Sequence, residues 1–84
     1  MDPKAAALIE FIKVQILRNS PAPIDEDTSL VTSGLVDSLS LPQILVKLEA
    51  ISELKIPVGR VSPQDFESVR TMLKAAERVG IPRK

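Results

Sequence analysis

The stretch "SGLVDSLSLPQ", residues 33–43, decides how this chain is read. Leu35 and Val36 lead into an acid and a hydroxyl, Asp37 and Ser38, after which apolar residues resume at helical spacing. A serine at the mouth of a helix has two readings: it caps the helix, or it is an exposed chemical handle. Residues 40–43, Ser-Leu-Pro-Gln, have the form of a capping box with Pro42 in the first turn, where proline is tolerated. A cap at Ser40 would leave Ser38 without that duty.

The spacing predicts this second helix over residues 39–53. Leu41, Ile44, Leu45, Leu48 and Ile51 fall on one face and form the core stripe. Leu39, Val46 and Ala50 lie on the opposite side, where a solvated helix is normally polar. They are either a docking strip or scattered surface hydrophobics, which are common. Upstream, residues 24–37 make a loop that is long by ordinary standards. Leu30, Leu35 and Val36 are expected to pin it to the core, and Gly34 suits a positive φ.

The rest of the chain is also helical in pattern. Asp2 is a candidate N-cap and Pro3 a first-turn proline, followed by an apolar face of Ala5, Leu8, Ile9, Phe11, Ile12 and Ile16. Residues 19–23, with two prolines, stop that helix. After a turn at Pro57 and Gly59, Ser62, Pro63 and Asp65 start a short helix that sends Phe66 to the core. Ser68 then caps a last helix with Val69, Met72, Leu73, Ala76 and Val79 at helical spacing, ended by Gly80 and Pro82. No segment alternates with strand period. The expected architecture is all-α: a small four-helix bundle with three longer helices and one short one, a long loop between helices 1 and 2, and one domain over residues 1–84.

Composition removes several functions. With 84 residues, 44% hydrophobic and 26% charged, the chain has the balance of one folded domain. Eleven bases cancel eleven acids, and the excess of bases collects late, at Arg70, Lys74, Arg78, Arg83 and Lys84. A solvated helix face accounts for them, with a docking patch for an acidic partner as the alternative. Zero net charge and only two aromatic residues, Phe11 and Phe66, argue against nucleic-acid binding. No cysteine or histidine is present, so thiolate chemistry, the usual zinc ligands and a Ser-His pair are excluded. No apolar run is long enough to span a bilayer, and the N-terminus lacks a signal peptide's order, which makes the cytoplasm the expected location.

These absences narrow the chemistry of Ser38. As a nucleophile it has neither an activating base nor a G-x-S-x-G elbow. It could be phosphorylated, because an anion is favoured at a helix N-terminus. The same field favours an attachment point for a larger phosphate-bearing group, which a serine after a long loop could offer to another enzyme.

In this setting residues 34–39, "GLVDSL", resemble the D-S-L motif of acyl and aminoacyl carrier proteins, whose serine takes a 4′-phosphopantetheine arm from coenzyme A. The helix order, the loop before the serine and the short Pro-x-Asp-Phe helix are similar to that family over nearly the whole chain. The resemblance implies that Ser38 bears the arm and that Asp37 contacts the modifying transferase. It also implies that Leu39, Val46 and Ala50 face partner enzymes, with Glu49 and Glu53 as acidic contacts. G-L-V-D-S is closer to D-alanyl and other stand-alone carriers than to the G-A-D-S of fatty-acid synthesis, whose carriers are strongly acidic. The implied protein is a carrier and no enzyme, a monomer with no bound metal. Its partners would be a phosphopantetheinyl transferase, an acyl or aminoacyl ligase and a downstream acyl-transferring enzyme. The alternative is a small helical interaction module in which Ser38 is only a cap.

Overall fold

The computed structural model describes residues 2–18 and 23–82. Helix α1, Pro3–Phe11, starts as its sequence dictates: the Asp2 carboxylate accepts from Lys4 N–H at 2.8 Å, and Pro3 occupies the first turn. It continues as a π-helical turn, Ile12–Ile16, closed by Leu17 N–H donating to the Ile12 carbonyl at 2.8 Å. Both Ile16 and Leu17, four and five residues beyond the buried Ile12, lie against the core. Four of the residues expected to stop this helix, 19–22, lie outside the described residues.

Helix α2 is Leu41–Ser52, and α3 is Val69–Val79. Ala5, Leu8, Ile9 and Ile12 from α1 meet Ile44 and Leu48 from α2 and Val69, Met72 and Ala76 from α3 in one aliphatic core. Phe66 enters it from a 3₁₀ turn, Pro63–Phe66, in which Asp65 accepts from Ser62 N–H at 2.9 Å. Ser68 and Thr71 exchange N–H to hydroxyl bonds at 3.2 and 3.0 Å, the reciprocal cap that starts α3.

Three features differ from the sequence expectation. The described chain has three α-helices, and the short fourth helix is a 3₁₀ turn, with a second 3₁₀ turn at Val58–Arg60, so the fold is mostly helical without being a regular four-helix bundle. A two-stranded antiparallel bridge also joins β1, Leu54–Lys55, to β2, Ile81–Pro82, pairing Leu54 with Pro82 and Lys55 with Ile81. Two-residue strands carry no detectable alternation, so no periodicity could announce them. Gly80 makes the bridge possible, because a Cβ there would overlap the Ala76 carbonyl oxygen and the Leu54 side chain. Its role is close approach as well as helix termination. Finally, α2 is shorter than the expected span of 39–53, for a reason that lies at its N-terminus.

Candidate functional site

The chain reaches α2 through the loop that begins near residue 24. Leu30 and Val36 are buried, as expected, and Gly34 has φ 84°. Burying Leu30 contributes on the order of 2 kcal/mol toward holding the loop down. Leu35 is 37% exposed and does not join the core. A bond from Val36 N–H to the Leu30 carbonyl at 2.9 Å closes residues 30–36 into a compact turn that delivers Asp37 and Ser38 to the helix mouth.

At that mouth the expected cap at Ser40 is replaced. Ser40 has helical backbone angles and makes no side-chain cap bond. Asp37 serves instead: its Oδ1 accepts from Ser40 N–H at 3.1 Å and from the Ser40 hydroxyl at 3.2 Å. The same Ser40 N–H also reaches the Asp37 carbonyl at 3.1 Å, so the carboxylate reinforces the turn of residues 37–40 that precedes α2, where a negative charge also stands at the positive end of the helix dipole. Residues 38–40 thereby form a turn that leads into α2, with Leu41 N–H reaching the Ser38 carbonyl at 3.4 Å. Ser38 is exposed, and its hydroxyl makes no hydrogen bond among the described residues. The reading of Ser38 as a cap therefore has no bond to support it.

Beside the hydroxyl lies a groove of about 230 Å³ that the sequence did not reveal. Leu41 and Leu45 of α2 form one wall, and Val58, Val61 and Phe66 the other, with Ser38 at the rim and no charged side chain in the lining. Val58 is 71% exposed, an apolar residue held at the surface by the turn after Pro57.

The strip on the outer face of α2 is open as expected. Leu39 is 83% and Val46 66% exposed, and Ala50 and Glu53 are exposed too. Phe11 of α1 extends the strip: with Gln43, Val46, Lys47 and Ala50 it lines a shallow depression, and the Lys47 ammonium lies 5.6 Å from the Phe11 ring centre. The two acids differ from each other. Glu49 is half-buried and its Oε2 accepts from Ile56 N–H at 2.7 Å, which ties α2 to the segment after β1. Glu53 ends α2 in the left-handed region at φ 59° with its side chain in solvent. Among the described residues no cluster of three acidic, cysteine or histidine side chains could hold a metal ion.

The loop is held from its far side by Glu67, which no sequence pattern singled out. Its Oε2 accepts from the hydroxyls of Ser29 and, at 2.6 Å, Thr32; its Oε1 accepts from the N–H groups of Val31 at 3.2 Å and Thr32 at 3.0 Å. The Glu67 carbonyl takes Leu30 N–H at 2.7 Å. One turn on, Arg70 N–H donates to the Glu26 carbonyl at 2.9 Å and its guanidinium grips Asp27 at 2.6 and 3.1 Å. The Arg70 guanidinium, by hydrogen bond and then by charge, holds the Asp27 carboxyl below its ordinary value.

The four donors drive Glu67 down from an ordinary 4.5 to about 2, the Ser29 hydroxyl contributing most, then the Thr32 hydroxyl and its N–H, against a smaller opposing effect of burial. A carboxylate depressed in the folded state binds protons more weakly there than when unfolded, so its stabilisation is complete above about pH 4.5 and is lost as pH falls toward about 2. Urea denaturation of the wild type and Glu67→Gln should therefore give a stability difference that is constant from neutral pH down to about 5 and vanishes as the pH approaches 2. A difference independent of pH over that range would contradict this ionised clamp.

Comparison with known proteins points the same way as residues 34–39. The chain is 26% identical to the D-alanyl carrier protein of Streptococcus uberis over 64% of its own length and 68% of the relative's. It is 25% identical to the D-alanyl carrier protein of Streptococcus pyogenes over 86% of its length and 89% of the relative's. With that of Streptococcus equi subsp. zooepidemicus it shares 27% identity over 67% and 68%. No family model matches the chain, and no solved structure matches it. The resemblance drawn from the D-S-L motif is thus borne out by its relatives: the chain is similar to carrier proteins, and to those of the D-alanyl kind.

Proposed function

We propose that the protein carries an acyl or aminoacyl group as a thioester on a 4′-phosphopantetheine arm attached to Ser38, and presents it to partner enzymes. The observation that carries this reading is the division of labour at residues 37 and 38. Asp37 secures the turn that opens α2, and the exposed Ser38 hydroxyl is left uncommitted within a D-S-L sequence. The D-alanyl carrier proteins to which the chain is similar support the same role.

The site fits the group. A phosphodiester on Ser38 would stand at the start of α2, whose dipole favours an anion. The neighbouring groove is apolar and could receive part of a flexible arm without burying a charge. When bound, the arm supplies a terminal thiol on which an activated acid is held as a thioester. The chain's own work is to expose the Ser38 oxygen to a phosphopantetheinyl transferase, to keep that end of α2 fixed, and to offer Leu39, Val46 and Ala50 to a loading ligase and a downstream acyl-transferring enzyme. Asp37 retains Oδ2 for a contact to the transferase, and Glu53 is the freer of the two acids on α2.

Tethering raises the effective concentration of the cargo at each enzyme, because the substrate arrives as part of a docked complex. Release must follow each step, which calls for small, weak interfaces. A few exposed apolar side chains on a chain of zero net charge meet that demand. None of the described helices is long and apolar enough to cross a membrane, in keeping with a cytoplasmic carrier.

The reading is tested by incubating the folded protein with coenzyme A, magnesium and a promiscuous phosphopantetheinyl transferase and weighing the product. A gain of one phosphopantetheine that disappears in Ser38→Ala is expected; no gain with any of several transferases would remove the carrier function. For the strip on α2, Val46→Asp should leave the circular dichroism spectrum unchanged and lower kcat/KM for loading by the cognate ligase by about tenfold, the size of a modest interface hot spot. Unaltered loading kinetics would exclude the strip from the interface.

A further inference from the structure

We infer that Glu67 is a positioning residue for the modification of Ser38, an inference that rests on the carrier reading above. Glu67 lies 29 residues beyond the serine in sequence, and none of its hydrogen bonds reaches Ser38. Its influence runs through the loop. The carboxylate gathers Ser29, Val31 and Thr32, and its own carbonyl holds Leu30. Leu30 in turn accepts from Val36 N–H, and Val36, buried in the core, stands two residues before Ser38. Hydrogen bonds therefore run from the residue before the α3 cap to Val36, and two residues of chain carry the constraint on to Ser38.

The acceptor has to be a carboxylate. Four donors converge on its two oxygens, two hydroxyls on one and two N–H groups on the other. An ionised carboxylate only accepts, and charge-assisted bonds of this kind are the stronger ones. A glutamine offers one accepting oxygen and turns an NH₂ group toward donors, which removes about half of the clamp while preserving shape. The loop's other ties to the body are the apolar contacts of Ile24, Leu30, Val31 and Val36 and the pairing of Arg70 with residues 26 and 27. Loosening the clamp should leave α2 and its outer strip in place and misplace the hydroxyl at the loop's end. Encounter with a transferase would be preserved, and the alignment of the attacking oxygen would be lost.

The experiment measures steady-state modification of Ser38 by a promiscuous phosphopantetheinyl transferase with coenzyme A and magnesium, for the wild type, Glu67→Gln, Thr32→Val and Ala75→Gly. The last variant weakens α3 at a buried alanine whose side chain makes none of the clamp's hydrogen bonds, and it serves as a control for lost stability. Expected are a kcat about tenfold lower in Glu67→Gln with KM within about twofold of wild type, a smaller loss of kcat in Thr32→Val, and an unchanged kcat in Ala75→Gly. If Glu67→Gln fails to fold, Thr32→Val, which keeps the carboxylate and removes one donor, decides the matter by the same split. A wild-type kcat in the clamp variants, or an equal fall in Ala75→Gly, overturns the positioning role while the carrier function stands. A wild-type chain that no transferase modifies overturns both.

Discussion

The Asp37 carboxylate takes the Ser40 N–H at the entrance to α2, and the rest of the site depends on that bond. The same N–H also reaches the Asp37 carbonyl at 3.1 Å, so the side chain reinforces the turn of residues 37–40 that leads into α2. Had the acceptor been the hydroxyl of residue 38, that oxygen would be fixed against the backbone. Because the preceding acid does the work, the hydroxyl stands free at a position where the helix field favours an attached phosphate. Two adjacent residues thus divide two tasks that serine is chemically able to perform, and the one that must be reached from solvent falls to Ser38.

A hydroxyl at the end of a long loop would ordinarily be poorly placed, since such loops carry many backbone groups that the loop itself cannot satisfy. Here α3 supplies the partners. Its N-terminus lends the Arg70 N–H to Glu26, and the residue before its cap, Glu67, gathers four donors from Ser29, Val31 and Thr32. Leu30 and Val36 add the apolar weight. The loop is held at several points between residues 26 and 36, and its last residues pass into the turn that starts α2. A tethered loop end beside an open apolar groove suits the proposed carrier role, in which partner enzymes would supply the chemistry.

Much of this was legible in the chain. Asp2 with Pro3, Ser68, and Ser62 with Asp65 are local signals, and each start occurs where its residues say it should. The core faces followed from spacing, and Leu30, Val36 and Gly34 took their expected places because burial and positive φ are properties of single residues. Failures occurred where competing local options had similar energies or where partners were distant. Ser40 and Asp37 could each cap α2, and only the fold selects the acid. Leu35 and Val36 are equally apolar, yet only Val36 enters the core. The bridge at residues 54–55 and 81–82, the groove beside Ser38 and the Glu67 clamp all join segments far apart in sequence, and periodicity is blind to such pairings.

The central claim, that the acid and not the serine caps α2, is tested most directly by the unfolding free energies of Asp37→Ala and Ser38→Ala measured by urea denaturation. The account predicts a loss of about 1 kcal/mol in Asp37→Ala, the usual worth of an N-cap, and a change within a few tenths in Ser38→Ala. The reverse pattern, with Ser38→Ala destabilised and Asp37→Ala neutral, would mean that the hydroxyl is engaged with the helix and is not free for attachment.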